Sequence, residues 1–321
     1  MTEAVTTSAP ATNARSLRLY LQRFGILTSF ILLCIALSLL SDRFLTGQNV
    51  INVLRQITIN GIIAVGMTYV ILIGDIDLSV GSILALTSVV TADLLQKGVP
   101  VPVAILLGVG LGMVLGAVNG AITVRFQVPS FITTLGMLTA ARGMALTYTQ
   151  GRPITGLPEG FRFLGRGEPL GIPMPVVIAL ITFAVGWVVL RRTRAGEYIY
   201  AMGNNPVAAR LVGIHTGRLR TWIFMISGGL SALAGMILTA RLDSAQPTAG
   251  VAFELDAIAA VVLGGTSFTG GIGGLGGTLL GALIIGVLDN GLNLLNISSL
   301  YEQLVKGAVI ALALLIHRAQ D

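Results

Sequence analysis

Two carboxylates separated by one residue sit where the chain has least reason to carry charge. Asp75 and Asp77 occur in Ile73-Gly74-Asp75-Ile76-Asp77-Leu78-Ser79, between two apolar runs. A carboxylate at membrane depth is costly and usually faces a cavity or a partner. Two readings of the pair stay open. It lines a polar gate or pathway, or it marks a cytoplasmic turn in which Asp77 or Ser79 caps the next helix. Asn119, Asn290 and Asn293 also lie in or beside apolar runs. Their amides could face a polyol substrate or bridge neighbouring helices. Arg142, Asp289, Glu302 and Lys306 complete this polar set, and Glu302 and Lys306 are four apart, so they pair on one helix face.

Most other chemistry is excluded. One cysteine, Cys34, rules out a disulfide framework, and with only His215 and His317 beside it no all-Cys/His zinc set exists. No Ser/His/Asp or H-E-x-x-H set appears, and no G-x-x-x-x-G-K-[ST] phosphate loop, so this chain does not hydrolyse ATP itself. Gly271-Ile272-Gly273-Gly274-Leu275-Gly276 fits G-x-G-x-x-G but has no strand–turn–helix context, so it is not a dinucleotide site. No metal or cofactor is expected in the chain.

The elements that must position these residues are apolar helices. Hydrophobic residues make up 54% of the 321, charged residues 11%, and mean hydropathy is +0.87. Soluble domains carry about 25% charged residues. Apolar segments recur near 24–40, 56–74, 79–96, 101–124, 129–149, 173–190, 220–241, 254–266, 275–296 and 299–317. The chain therefore reads as an all-α polytopic membrane protein with about ten spans. Segments 79–96 and 254–266 are short enough to be broken or re-entrant. Residues 1–23 read as a polar cytoplasmic tail, and 24–321 as one transmembrane domain.

Ten crossings with the N-terminus inside place both termini in the cytoplasm. Arg15, Arg18, Arg23, Arg125, Arg191, Arg192, Arg194, Arg210, Arg218, Arg220 and Arg318 then lie inside, eleven in all. Arg43, Arg55, Lys97, Arg152, Arg162, Arg166 and Arg241 lie outside, seven in all. This bias has the sign expected of cytoplasmic loops. The net charge of +6 is thus a loop property, and no nucleic-acid partner is expected. The outer loop 150–172 is either an ordered connector or a surface for an external partner. Asp243-Ser244-Ala245-Gln246-Pro247 is also outside, as part of a vestibule or as a turn. Gly108, Gly112, Gly116 and Gly120 stripe one helix face, which permits close static packing, with sliding in a working cycle as the alternative. A weak internal echo links Ala64–Thr68 with Val262–Thr266.

The basic loop 191–220 carries a short helix with both ends marked. Asn205, after Asn204, can cap its N-terminus, and Pro206 suits the first helical position. Val207, Ala208, Ala209, Arg210 and Leu211 follow, with Gly213 fitted to the left-handed residue past the end and Ile214 folding back on Ala209. Two turns are too few to be stable alone. A capped helix in a cytoplasmic loop suggests a part that touches a cytoplasmic partner.

Several stretches resemble the permease subunits of bacterial ABC importers for monosaccharides. They are Asn60–Ser82 (NGIIAVGMTYVILIGDIDLSVGS), Ala195–Ile214 with its core GNNPVAARLVGI, Ala240–Gly250 (ARLDSAQPTAG), Glu254–Ser267 (ELDAIAAVVLGGTS) and Asp289–Leu295 (DNGLNLL). The resemblance implies two permease copies around one pathway in the bacterial inner membrane. It implies the ten-helix fold of vitamin B12-class (type II) importers. A cytoplasmic ATPase, with two cassettes fused in one chain in ribose-type systems, would bind ATP and Mg. A periplasmic binding protein would deliver the sugar. In this family the loop helix couples the permease to the cassette and often reads Glu-Ala-Ala-x-x-x-Gly. Ala208, Ala209 and Gly213 match, but Val207 stands where the Glu would be, so no charged contact carries over to that position.

Overall fold

The computed structural model describes residues 12–297 together with 301, 304, 307 and 308, with the backbone alone over 12–24. Helices dominate: α1 (Thr12–Leu40), α2 (Gly47–Leu72), α3 (Val80–Gln96), α4 (Val101–Phe126), α5 (Ser130–Thr149), α6 (Glu159–Arg166), α7 (Met174–Arg192), α8 (Arg194–Asn204), α9 (Pro206–Leu211), α10 (Thr216–Leu242), α11 (Phe253–Leu263) and α12 (Leu275–Leu294). Two short strands, β1 (Ile154–Thr155) and β2 (Ser244–Ala245), pair antiparallel. Nine of the ten predicted apolar segments fall on helices. The tenth, 299–317, and the Glu302–Lys306 pair lie outside the described residues, as do residues 1–11.

Residues 12–23, within the stretch read as a tail, are helical and continue into the apolar part of α1. Ala14, Leu17, Leu19, Leu21 and the arginines between them are good helix formers, so the helix extends past the apolar run.

Among the described residues, five helices (α2, α4, α7, α10 and α12) are long and apolar enough to cross a membrane. They divide by burial. α2, α10 and α12 are covered along most of their length, whereas only about a fifth of α4 and α7 is buried. Leu106, Leu107, Val114, Leu180, Ile181 and Val185 point outward. Such a surface would be an association hazard in water, and is what hydrocarbon surroundings require.

The inner helices approach each other through glycine. Gly112 lies on the Gly228 carbonyl and Gly116 on the Phe224 carbonyl, so α4 and α10 touch backbone to backbone. The stripe is thus a packing surface, and added methyl groups have nowhere to go. Polar cross-links tie other helices: Asn49 and Asn290 exchange two amide hydrogen bonds of 2.9 Å between α2 and α12. Thr68 and Thr278 hydroxyls meet at 2.8 Å.

α10 runs the length of the bundle, 27 residues or about 40 Å. At its N-terminal end gather α9 and the ends of α2 and α4. At its C-terminal end lie α6 and the β1–β2 pair. The predicted loop regions 191–220 and 150–172 therefore occupy opposite ends. α3 and α11 have 17 and 11 residues, shorter than the roughly 20 that span hydrocarbon. Their beginnings meet, because Gly81 packs against Gly250 and the Glu254 carboxylate. The echo between Ala64–Thr68 and Val262–Thr266 has no shared geometry: the first lies within α2, the second runs from the end of α11 into a turn.

Candidate functional site

The short helix of the basic loop forms as its sequence dictates. Asn205 Oδ1 accepts from the backbone N–H of Val207 at 3.0 Å and of Ala208 at 2.9 Å. The first four amides of a helix have no partner within it; Pro206 carries no N–H, and one side chain here serves two of the rest. At the other end Gly213 takes φ +90°, and its N–H bonds Arg210 O while Ile214 N–H bonds Ala209 O, both at 3.0 Å. That is the complete Schellman pattern. Arg210 Nε donates to Pro206 O. Ala209 is buried, so the helix is seated by its small residue. Val207, Leu211 and Val212 are 57%, 83% and 77% exposed. The outward face of α9 is therefore apolar, with Ala208 beside it.

A second helix, unforeseen from sequence, carries α9. α8 joins it through Asn205 alone, which ends one helix and begins the next. Ile199 and Met202 anchor α8 in a core with Tyr69, Leu72, Leu190 and Ile223. Tyr200 donates its hydroxyl to Gly273 O at 2.9 Å, and Asn204 Nδ2 donates to Tyr200 O. Gly203 packs directly on Leu72 O and on Gly271, and Gly271 N–H bonds that same carbonyl at 2.9 Å. The glycine-rich run 271–276 is thus a strap around the end of α8. Gly271 and Gly273 hold φ of +75° and +130°, open mainly to glycine, and this explains the motif without a nucleotide. The spacing of Ile199, Met202 and Gly203 at i, i+3 and i+4, after Glu197 in the first turn, was the available signal for α8.

Between α2 and α3 the backbone is unwound over 73–79, and both aspartates are buried there. Asp77 Oδ1 accepts from Ser79 N–H at 3.0 Å and Ser79 Oγ at 2.6 Å, and Oδ2 accepts from Ser227 Oγ at 2.8 Å. Asn119 Nδ2 donates to Ser79 Oγ at 2.9 Å. Ser130 and Thr134 of α5 accept from the amides of Ile76 and Leu78. The unwound segment thus replaces its missing helical bonds with side chains from α4, α5 and α10. Ser79 makes no side-chain cap, and Asp77 holds the residue before α3 rather than its first turn. The segment is a buried connection between α2 and α3, and neither Asp77 nor Ser79 caps the first turn of α3.

Asp75 meets a cation. Arg220 Nε lies 2.7 Å from Asp75 Oδ2, though the N–H is not aligned for a hydrogen bond, so the contact is chiefly Coulombic. It joins the unwound segment to the first turns of α10, five residues after His215, which ends the loop that holds α9. The remaining amide candidates are engaged within the chain. Asn290 pairs with Asn49, and Asn293 donates to Asp289 O.

At the opposite end, Asp243 caps α10 at φ +57°, accepts from Leu157 N–H at 3.0 Å and lies 3.7 Å from Arg162. Ser244 pairs with Thr155 in the small sheet, Pro247 is buried and Gln246 is exposed. The outer segment is stitched down by Arg142, whose Nη1 donates to Pro247 O and Ala249 O at 2.7 Å each. Its Nη2 reaches Gly81 O at 3.4 Å. Arg142 thus clamps 247–249 to the start of α3, a role its position within an apolar run did not reveal. Phe161 buries α6 against this end, so the 150–172 segment is an ordered cover. Among the described residues no group of three or more His, Cys, Asp or Glu gathers as for a metal.

Residues 49–314 match the family described as the permease component of the branched-chain amino acid transport system. The chain is 51% identical over 303 residues to the ribose import permease protein of Bacillus subtilis (strain 168), covering 94% of each chain. It is 50% identical to the ribose import permease protein of Haemophilus influenzae, covering 89% of this chain and 90% of that one. Against the protein of the same name from Escherichia coli (strain K12) the identity is 48%, covering 92% and 93%. No solved structure matches the chain. The match over most of its length, on a helical bundle with apolar outer helices, makes this chain a member of the transport-system permease family, a transport component and not an enzyme.

Proposed function

We propose that this chain is the membrane-spanning permease of an ATP-driven importer for ribose. The observation that carries the reading is identity near one half, over about nine-tenths of both chains, to three ribose import permeases. A permease of this kind works with an ATPase and a binding protein. In our reading two copies form the pathway in the bacterial inner membrane, each with ten crossings, the type II fold and both termini in the cytoplasm. The inside excess of Lys/Arg and the placement of loops 191–220 and 150–172 at opposite ends support that orientation.

The geometry supports a mechanism. α9 presents Val207, Leu211 and Val212 to a groove of the ATPase, whose two cassettes we take to be fused. ATP and Mg act there, outside this chain. Closure of the cassettes pushes α9, and its two caps keep the short helix intact under load. α8 passes the movement to the end of α2 through Gly203 and Tyr200, and α10 passes it to the 73–79 segment through Arg220 and Asp75. Asp243, Ser244, Gln246 and Pro247 lie on the face that would meet the sugar-loaded binding protein.

Proteoliposomes containing the permease, its ATPase and the binding protein test this. Ribose uptake should require ATP and all three components. Uptake by the permease alone, driven by a sodium or proton gradient, would establish an ion-coupled transporter instead.

A further inference from the structure

The ends of α4 and α10 that lie beside α9 border a groove of about 830 Å³. Three arginines stand on its wall, Arg125 from α4, Arg210 from α9 and Arg218 from α10, and among the described residues no Asp or Glu joins them there. Arg125 and Arg218 have no ion pair or hydrogen bond among those residues, and Arg210 engages only its Nε, with Pro206 O. The groove therefore concentrates uncompensated positive charge. The start of α10 adds to it. That helix of 27 residues has no side-chain cap, and the amides of Gly217 and Arg218, both on the wall, have no acceptor among the described residues.

Most of the remaining wall is apolar, with Val124, Ile214, Trp222 and Met225. It continues onto the outer surface of the bundle. Arg125, Ala121, Val118 and Val114 are spaced by four, three and four residues, so they follow one face of α4. Arg218, Trp222 and Ile226 follow one face of α10 at steps of four. Val114, Val118, Trp222 and Ile226 are all exposed. On each helix an arginine thus heads an outward apolar stripe. At 1.5 Å per residue, the stripe from Arg125 to Val114 is about 16 Å long. A soluble anion would use the arginines and leave the stripe bare. An ATPase outside the bilayer cannot reach along it. A molecule with an anionic head and a long apolar tail satisfies both parts.

We propose that this groove binds an anionic phospholipid of the leaflet at the α9 end, with its phosphate between Arg125 and Arg218 and an acyl chain along Val118 and Trp222. The proposal rests on the reading of the chain as a membrane-spanning permease. Arg210 belongs to α9, so a headgroup held here ties the start of α10 to the helix read as the coupling element.

Fluorescence quenching tests it. The chain has two tryptophans, Trp187 and Trp222, so Trp187→Phe leaves Trp222 as the only one. Full-length permease carrying Trp187→Phe is reconstituted in phosphatidylcholine vesicles with a small fraction of lipid brominated on its acyl chains, which quenches indole emission on contact. Brominated phosphatidylglycerol should quench Trp222 with an apparent affinity about three- to tenfold above that of brominated phosphatidylcholine. Arg125→Gln together with Arg218→Gln should make the two lipids quench equally, with melting in detergent unchanged because both side chains are exposed. Arg125→Lys with Arg218→Lys keeps both charges and should retain most of the preference. Equal quenching by the two lipids before any arginine is changed overturns the site, as does a preference that survives the Gln pair or falls equally in both pairs. No quenching by either lipid overturns it in favour of a second copy covering the groove. Relief of phosphatidylglycerol quenching by millimolar inorganic phosphate overturns it in favour of a soluble anion. Equal quenching beside intact ATP-driven ribose uptake overturns the site and leaves the importer reading standing. An arginine-dependent preference without ATP-driven uptake supports the site and counts against the importer reading alone.

Discussion

Replacing Asn205 with Ala removes the one acceptor that holds both first-turn amides of α9. The two bonds lost are 3.0 and 2.9 Å, and no other side chain reaches those N–H groups. Caps of this type contribute about 1 kcal/mol, within a range of 0.5–2. α9 has six residues and no intrinsic stability, so the loss falls on the helix and not on the bundle. About 1 kcal/mol lowers the ratio of formed to frayed helix roughly fivefold. The permease should therefore insert and melt normally while binding-protein-stimulated ATPase activity of the reconstituted complex drops several-fold. Asn205→Asp keeps the acceptor and adds a charge favoured at a helix N-terminus, so it should restore most of the stimulation. Full stimulation in Asn205→Ala would refute the assignment of α9 as the coupling element. Equal damage from Ala and Asp would refute the capping argument.

Other perturbations follow from the same geometry. Gly112→Ala should lower the melting temperature of the detergent-solubilised permease, since overpacking costs about 1–3 kcal/mol and the new methyl meets the Gly228 carbonyl. Gly110→Ala, with open space at its Cβ, should leave melting unchanged. Asp77→Leu strands the Ser79 amide, the Ser79 hydroxyl and the Ser227 hydroxyl, and should reduce thermal stability well below that of Asp77→Asn, which can still pair with them. Arg142→Met frees the carbonyls of Pro247 and Ala249 and should lower uptake more than Arg142→Lys, which retains one charged donor. Tyr200→Phe releases Gly273 O, and stimulated ATPase activity should fall while insertion is normal.

Local rules made some of the structure legible and left long-range contacts hidden. The caps of α9 could be read because each acts locally, Asn205 on amides two and three residues ahead and Gly213 on a carbonyl three residues behind. The glycine stripe was readable as packing because its period of four puts Gly108, Gly112, Gly116 and Gly120 on one face of α4. Its partner, α10, was not readable, since nothing local names the helix that a small face meets. Asp75 and Asp77 were visible as costly residues, yet their fates differ through distant groups. Arg220 lies 145 positions from Asp75, and Ser227 lies 150 from Asp77. Arg142 stayed unassigned because its acceptors are backbone carbonyls, which carry no mark in the sequence. α8 went unseen because its eleven residues are mixed in polarity and gain their order from the strap at Gly271–Gly273. The ten-segment count depended on hydropathy, which finds greasy runs but cannot say that α11 stops at eleven residues.

The most direct measurement is ribose uptake into proteoliposomes holding this permease with its ATPase and a ribose-loaded binding protein. Uptake should appear only with ATP and all three components, and Asn205→Ala should reduce it in step with stimulated ATPase activity. Ribose uptake by the permease alone on an ion gradient would contradict the ATP-driven reading, as would uptake that ignores the state of α9.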